Sequence, residues 1–170
     1  LARAETDYGV PASLIVGVIG VETFYGRHLG QFRVIDALTT LALDFPAAHP
    51  RADTRRAYFQ GELEQLLSLA YRAGIDPATL RGSYAGAMGW PQFMPSSWVK
   101  YAVDFNGDGR RDLWSDDPAD ALASAAHYLA EHGWAADVPW GMEVALPEGF
   151  DYDLTSERVV KPAAEWRALG

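Results

Sequence analysis

Glu22 is the one charged residue between Val10 and Gly26. It follows Ile19 and Val18 by three and four positions and Ile15 by seven, so helical spacing puts it on an apolar face. A carboxylate there must be paired, hydrogen-bonded or neutral, and no Lys or Arg lies one turn back. Burial would lift its pKa above the ordinary value of about 4.3. A glutamic acid kept protonated in this way is the general acid of glycoside cleavage. The plainer alternative is a side chain that bends to solvent near the helix end or caps a neighbouring loop.

Two further stretches carry chemistry-bearing types. Ser83 to Ser97 interleaves Gly86 and Gly89 with Tyr84, Met88, Trp90, Phe93 and Met94. Glycines let a backbone approach a ligand closely. Gln92 offers both a donor and an acceptor, which suits an acetamido group or a hydroxyl, and Ser83 is a second short polar candidate. A buried loop using Gly for tight turns and Met and aromatics as filler is the competing reading. Asp104 to Asp112 fits a calcium loop, with Asp104, Asn106, Asp108 and Asp112 at positions one, three, five and nine and Gly109 at six. Arg110 would give its backbone carbonyl at position seven. Position twelve, which wants a bidentate Glu, is Ser115. Such a loop also closes without an ion, through side chain to backbone hydrogen bonds; Arg110 and Arg111 could then supply part of the cation's charge.

The elements that must position these groups are helical. Pro11 suits the first turn of a helix and Gly26 its left-handed end. Apart from Glu22 nearly everything between is apolar or small, which predicts a helix buried all round. A tail of helix ends at Gly9. Asp36 caps a helix over 35–45, stopped by Pro46. Asp53 caps the next, about 54–73, whose Phe59, Leu63, Leu66, Leu67 and Ala70 recur at helical spacing. Asp76-Pro77 opens a short turn of helix to Leu80. Residues 82–94 are too broken by Gly and Pro to be helical. Pro95-Ser96-Ser97 starts a helix through Tyr101, and Asp117-Pro118 one to His132. Met142 to Leu146 alternates enough for a short strand, and Pro162 starts a last short helix. Asp36 and Asp44 sit at helix ends. Glu62 and Glu64 look solvated. No second acid stands on an apolar face, so a mechanism that needs two carboxyls has only one visible.

Composition narrows the function. The 170 residues suit one domain with a sizeable core. A net charge of -9 argues against nucleic acid, which needs a basic face. Six Trp and eight Tyr are plentiful, and flat rings serve as sugar platforms; Trp98 and Trp114 read as core, Trp90 as the best exception. With no Cys, thiolate metal sites and disulfides are excluded. No apolar run is long enough to span a bilayer. The scattered histidines show no metal-ligand pairing, and His127 reads as a helix-surface residue.

Gly20-Val21-Glu22-Thr23 with Tyr25-Gly26, Gly86-Ala87-Met88-Gly89, Gln92-Phe93-Met94-Pro95-Ser96-Ser97, Asp104-Phe105-Asn106-Gly107-Asp108-Gly109, Asp112-Leu113-Trp114 and the run Ala121 to Tyr128 occur in this order. Together they resemble the membrane-bound lytic transglycosylase B family over about residues 8 to 135. The resemblance implies a mainly α, lysozyme-like catalytic core with an EF-hand-like loop and little strand. It implies one such domain over 1–170, without the family's N- and C-terminal segments. Glu22 falls on the family's catalytic glutamate. Ser83, Tyr84, Met88, Gln92 and Tyr128 fall on substrate-groove positions. The metal set would be Asp104, Asn106, Asp108, Arg110 and Asp112, completed by Asp120 at the next helix start, with Asp116 or Asp117 as alternatives.

The reaction so implied is cleavage of the β-1,4 bond between N-acetylmuramic acid and N-acetylglucosamine in peptidoglycan, with no water added and a 1,6-anhydromuramoyl end left. Glu22 would serve as acid and then base. No cofactor would be required, and calcium would be structural. A monomer in the periplasm is expected, held at the outer membrane through a lipid anchor outside this chain. Competing readings are a hydrolytic lysozyme, a non-catalytic peptidoglycan-binding module, and a calcium sensor, the last weakened by its single loop.

Overall fold

A computed structural model describes residues 1–138 and 141–169. The chain divides into two compact units, 1–136 and 137–170.

The first unit begins with α1 (Ala2–Tyr8), stopped by Gly9 in the left-handed region at φ 68°. Pro11 precedes α2 (Ala12–Thr23). Ile15 and Ile19 of α2 are buried among Ala123, Ala125 and Ala126 of α6 (Ala119–Glu131). Alanines on that face of α6 let the two helix axes approach closely. The helix is not buried all round, as expected, because Ser13, Gly17 and Val21 recur every fourth residue along an open face. It also ends three residues earlier than Gly26. Phe24, Tyr25 and Gly26 all take positive φ, at 49°, 60° and 78°, and this left-handed run breaks the helical hydrogen-bond ladder at Thr23.

A second core lies between α3 (Val34–Leu43), α4 (Ala52–Ala73) and α5 (Pro95–Tyr101). It holds Val34, Leu38, Phe59, Leu66, Met88, Trp98 and Leu113. Each such side chain contributes about 1.5–3 kcal/mol by leaving water. Asp36 and Asp53 do not cap their helices. Helices α3 and α4 each start earlier, and both carboxylates sit in the first turn, paired with Arg33 (2.6 Å) and Arg56 (3.1 Å). Asp76 does cap its short 3-10 turn, accepting from the Ala78 N–H at 2.9 Å.

The strand content is small. β1 (Phe32–Arg33) pairs antiparallel with β2 (Arg81–Gly82), Phe32 opposite Gly82 and Arg33 opposite Arg81. The expected strand over Met142–Leu146 does not form. Met142, Val144 and Leu146 are exposed, and among the described residues no segment pairs with them. The second unit instead holds a 3-10 turn at Tyr152–Thr155 and α7 (Ala163–Arg167), which follows Pro162. Among the described residues no helix is long and apolar enough to cross a membrane.

Candidate active site

Glu22 occupies the last turn of α2, and its side chain is exposed. This corrects the expected burial. Spacing puts Glu22 near Ile15 and Ile19, but the buried stripe runs Ile15, Ile19, Thr23 to the last residue of the helix, and Glu22 lies beside that stripe on the open side with Val21. Val21, Phe24 and Tyr25 around it are exposed as well. Among the described residues Glu22 makes no hydrogen bond or ion pair, so its carboxyl is free to meet a ligand.

What is buried is its neighbour. Thr23 is 1% exposed. Its hydroxyl lies 3.2 Å from the Ile19 carbonyl and 3.0 Å from the Trp90 carbonyl, and it accepts from the Gly26 N–H at 3.1 Å. The Trp90 ring closes the same junction. A Cβ on Gly26 would come within 2.5 Å of that ring, so position 26 must be glycine for space as well as for φ. The end of α2 and the loop over 82–94 are thereby joined by both backbone and ring.

That loop is built from two tight reversals. Ser83 N–H donates to the Ala87 carbonyl at 2.9 Å, and Met88 and Phe93 exchange bonds of 2.8 and 2.9 Å. Gly89, at φ 68°, lies so near Leu113 that a Cβ would meet it at 2.6 Å. The Trp90 N–H then donates to the Leu113 carbonyl at 2.9 Å. Ser83 Oγ accepts from the Ala85 and Ala87 N–H groups at 3.2 and 3.0 Å. Gln92 is left-handed at φ 49°. Its Nε2 donates to the carbonyls of Leu29 (3.3 Å) and Gly89 (3.0 Å), which ties the loop to the segment after α2. Ser83 keeps its hydroxyl proton, and Gln92 its Oε1, for a ligand. Tyr84 is 74% exposed.

Two predicted groove residues stand differently. Met88 is fully buried at the centre of the second core. Its backbone is held on both sides by Phe93, so the side chain is turned under the loop and cannot form a groove wall. Tyr128 is half-buried, packed on Phe93, Tyr101 and His132, with ring centroids 5.4, 5.1 and 3.9 Å away. It supports the loop from α6. His127 Nδ1 donates to the Tyr101 carbonyl, 2.9 Å away.

Sequence reasoning missed Glu62. It reads as solvated, yet it is 4% exposed. Its two carboxylate oxygens receive the Ser96 N–H (2.9 Å) and hydroxyl (2.6 Å). It therefore caps α5 from another helix. The available signal was that α5 opens on Pro95-Ser96-Ser97 and no side chain within α5 caps it.

The acidic loop folds around Asp120. This carboxylate is 2% exposed and accepts from the N–H groups of Phe105 (2.8 Å), Asn106 (3.2 Å) and Asp112 (3.0 Å). Asp104 accepts from Gly107, Asp108 and Gly109 at 2.8, 3.1 and 2.8 Å. Oxygens of Asp104, Asp108 and Asp120 lie within 4.8 Å of one another. Asp112 stands outside this group. Its Oδ1 accepts from Trp114 and Ser115 at 2.8 and 3.1 Å, so it closes the next turn instead. Asn106 Oδ1 accepts from the Asp108 N–H at 3.1 Å. Among the described residues neither Arg110 nor Arg111 pairs with a carboxylate.

The transglycosylase SLT domain matches residues 1–170. The chain belongs to this family. It is 49% identical over 155 residues to membrane-bound lytic murein transglycosylase B of Escherichia coli, covering 88% of this chain and 40% of that protein. The Escherichia coli lytic transglycosylase Slt35 in complex with calcium superposes with a TM-score of 0.73 at 51% identity, over 81% of this chain and 41% of that one. SltB3 from Pseudomonas aeruginosa in complex with NAG-anhNAM-pentapeptide superposes with a TM-score of 0.82 at 41% identity, over 99% and 43%. The chain thus spans about two fifths of the length of these relatives. The mainly helical, lysozyme-like fold expected from the sequence is the fold of this SLT domain.

Proposed function

We propose that this SLT domain is a peptidoglycan lytic transglycosylase that cleaves the β-1,4 bond between N-acetylmuramic acid and N-acetylglucosamine. The reading rests on one observation above all. Among the described residues Glu22 is an unpaired, exposed carboxyl, on a helix end that Thr23 and Gln92 lock to a loop presenting polar groups. A relative bound to NAG-anhNAM-pentapeptide supports the substrate class and the anhydro product.

A glycan laid across Glu22 supplies the desolvation that the protein alone does not. Glu22 then donates its proton to the leaving glycosidic oxygen as the C–O bond breaks. The substrate's own N-acetyl oxygen stabilises the anomeric carbon. Glu22, now a carboxylate, takes the proton from the muramic acid 6-hydroxyl, and that oxygen closes onto the anomeric carbon. One group acting as acid and then base needs its proton balanced near the working pH. Ser83 and Gln92 orient the acetamido group, Tyr84 offers an exposed ring, and Tyr128 holds the loop in place. We take 1–170 as one catalytic domain whose site residues all lie within 1–136.

Asp104, Asp108 and Asp120 would hold calcium, with Asn106 and the Arg110 carbonyl as further oxygen donors. Three converging carboxylates with no cationic side chain between them suit a hard, oxygen-seeking ion. Its contribution there is charge neutralisation within the loop, and the reaction needs no cofactor. We take the protein to work as a monomer in the periplasm; the name of the Escherichia coli relative, membrane-bound, supports a membrane-associated place of work. Peptidoglycan is the partner and nucleic acid is not.

Digestion of purified sacculi, followed by mass spectrometry, tests the reaction. Anhydro ends, one water lighter than reducing ends, are expected. Reducing ends alone would make the enzyme a hydrolase, and binding without product would make it a binding module.

A further inference from the structure

A cavity of about 760 Å³ opens between the end of α4, α5 and the acidic loop. It shares no lining residue with the groove around Glu22 and 82–94. That volume lies within the range of small-molecule sites, roughly 300–1,000 Å³. Its wall has two characters. Leu69, Ile75, Trp98 and Trp114 make one side apolar, while Arg72, Arg110 and Arg111 supply three guanidinium groups. On a chain with net charge -9, this is a local reversal of sign.

The three arginines are uncommitted. Among the described residues none of them is in an ion pair. Arg72 Nε donates to the Ser68 carbonyl at 3.3 Å, which leaves its terminal nitrogens open. Asp112 also lines the cavity, but one of its oxygens is taken by two backbone N–H groups. The aromatic wall is rigid. Trp98 and Trp114 meet edge to face with centroids 4.6 Å apart, and Trp98 Nε1 is anchored on the Arg111 carbonyl at 3.1 Å. Trp114 Nε1, by contrast, is buried without an acceptor among the described residues.

A ligand for this wall must be long enough to reach guanidinium and aliphatic surface together. A free inorganic anion would use only the first. We infer that the cavity binds a short peptide with free carboxylates and small aliphatic side chains, namely a stem peptide of peptidoglycan. Planar guanidiniums match carboxylates in bidentate geometry, and Leu69 and Ile75 take the methyl groups. This deepens the function proposed above and rests on it. The cavity would hold a peptide of the wall while Glu22 works on glycan, and its floor is the loop segment Gly109–Asp112, so peptide and calcium occupancy are coupled through that loop.

Titration calorimetry of the chain in calcium, with free stem pentapeptide as probe, tests this. Saturable binding is expected. Arg110→Ala should weaken it about tenfold, as the loss of one charge-assisted pair implies, and the Arg110→Ala/Arg111→Ala pair more. Glu22→Gln should bind unchanged. Melting curves of the arginine variants must match the parent, which separates lost contact from lost fold. The inference is overturned by equal binding of the fully amidated peptide, by arginine variants that bind normally, by binding abolished in Glu22→Gln, or by full displacement with equimolar inorganic phosphate. Sacculus cleavage measured on the same sample keeps the two readings apart. Cleavage without peptide binding removes the cavity proposal alone, and anhydro product absent from a chain that binds peptide removes the enzymatic one.

Discussion

Thr23 and Trp90, 67 positions apart, are joined by a hydrogen bond of 3.0 Å from the threonine hydroxyl to the tryptophan carbonyl. Glu22 owes its place to this bond. Backbone bonds from Phe24 N–H to the Gly20 carbonyl (3.0 Å) and from Tyr25 N–H to the Ile19 carbonyl (3.3 Å) close the helix end, and Thr23 ties that end to the loop while also accepting the Gly26 N–H. Thr23→Val keeps the shape and removes the hydroxyl. Two part-buried backbone groups then lose their partner, at a cost of about 2–3 kcal/mol. With about 2–4 °C per kcal/mol at this size, melting should fall by roughly 5–10 °C. Cleavage measured well below the new midpoint should fall too, because the carboxyl loses its fixed position.

Glu22→Gln should behave in the opposite way. The side chain is exposed and unbonded among the described residues, so stability should stay within about 0.5 kcal/mol. Release of anhydro ends should fall by about 10²-fold or more, the range for loss of a positioned acid or base. A variant that melts like the parent yet still releases product would remove Glu22 from the mechanism.

The contrast between these two neighbours marks what can be read from sequence. Helices α1, α5 and α6 are legible because Gly9, Pro95 and the Asp117-Pro118 pair punctuate them. The broken loop over 82–94 is legible for the same reason. Burial at a helix end is not. Periodicity assigns Glu22 to the side of Ile15 and Ile19, but how wide the covered stripe is depends on tertiary contacts, and here it takes Thr23 and leaves Glu22 out. Met88 and Glu62 err in opposite directions. Met88, which the family resemblance puts at the groove wall, is core, as the filler reading of the loop has it, while Glu62 on a patterned helix looks solvated and proves to be a cap for a helix 34 residues away. Both depend on long-range partners that no local pattern encodes.

Glu62→Ala should be among the most damaging single changes in the first unit. It strands the N–H and hydroxyl of Ser96 at the start of α5 and leaves a cavity beside Phe59 and Leu66. About 3 kcal/mol is expected, the combined cost of unmet donors and lost packing. Ser96→Ala, which leaves the Glu62 bond to the N–H intact, should cost about 1 kcal/mol. Denaturant unfolding of the two variants gives the comparison, and equal losses would mean that the carboxylate does not cap α5.

Calcium should raise the melting temperature, by an amount that grows with the logarithm of its concentration; at a hundredfold excess over the dissociation constant the gain is about 2.7 kcal/mol. Asp108→Asn separates ion binding from loop closure. Asparagine retains an oxygen for the Arg110 N–H that Asp108 now accepts at 2.8 Å. One of three converging negative charges is nevertheless gone. In chelator this variant should melt at or slightly above the parent, since repulsion is relieved. In millimolar calcium it should show little of the parent's shift. An identical shift in both proteins would place the ion elsewhere or nowhere.

Alkaline pH should find a weak point at Tyr58. Burial raises its phenol pKa above the ordinary value near 10, and the charge of Glu62 adds to the rise, with Arg55 opposing both. The folded state therefore holds the phenolic proton more tightly than the unfolded chain does. Below about pH 10 both states are protonated and this contribution is fully present. Above it the unfolded chain loses the proton first, so fewer protons are bound unfolded than folded and stability falls with rising pH. The loss continues until pH passes the raised folded value. Tyr58→Phe cannot titrate and should lose less stability than the parent between pH 9.5 and 11. Glu62→Gln should narrow the difference, because it removes the charge that adds to the rise. Parallel melting curves for parent and Tyr58→Phe across that window would show that the phenol titrates alike in both states.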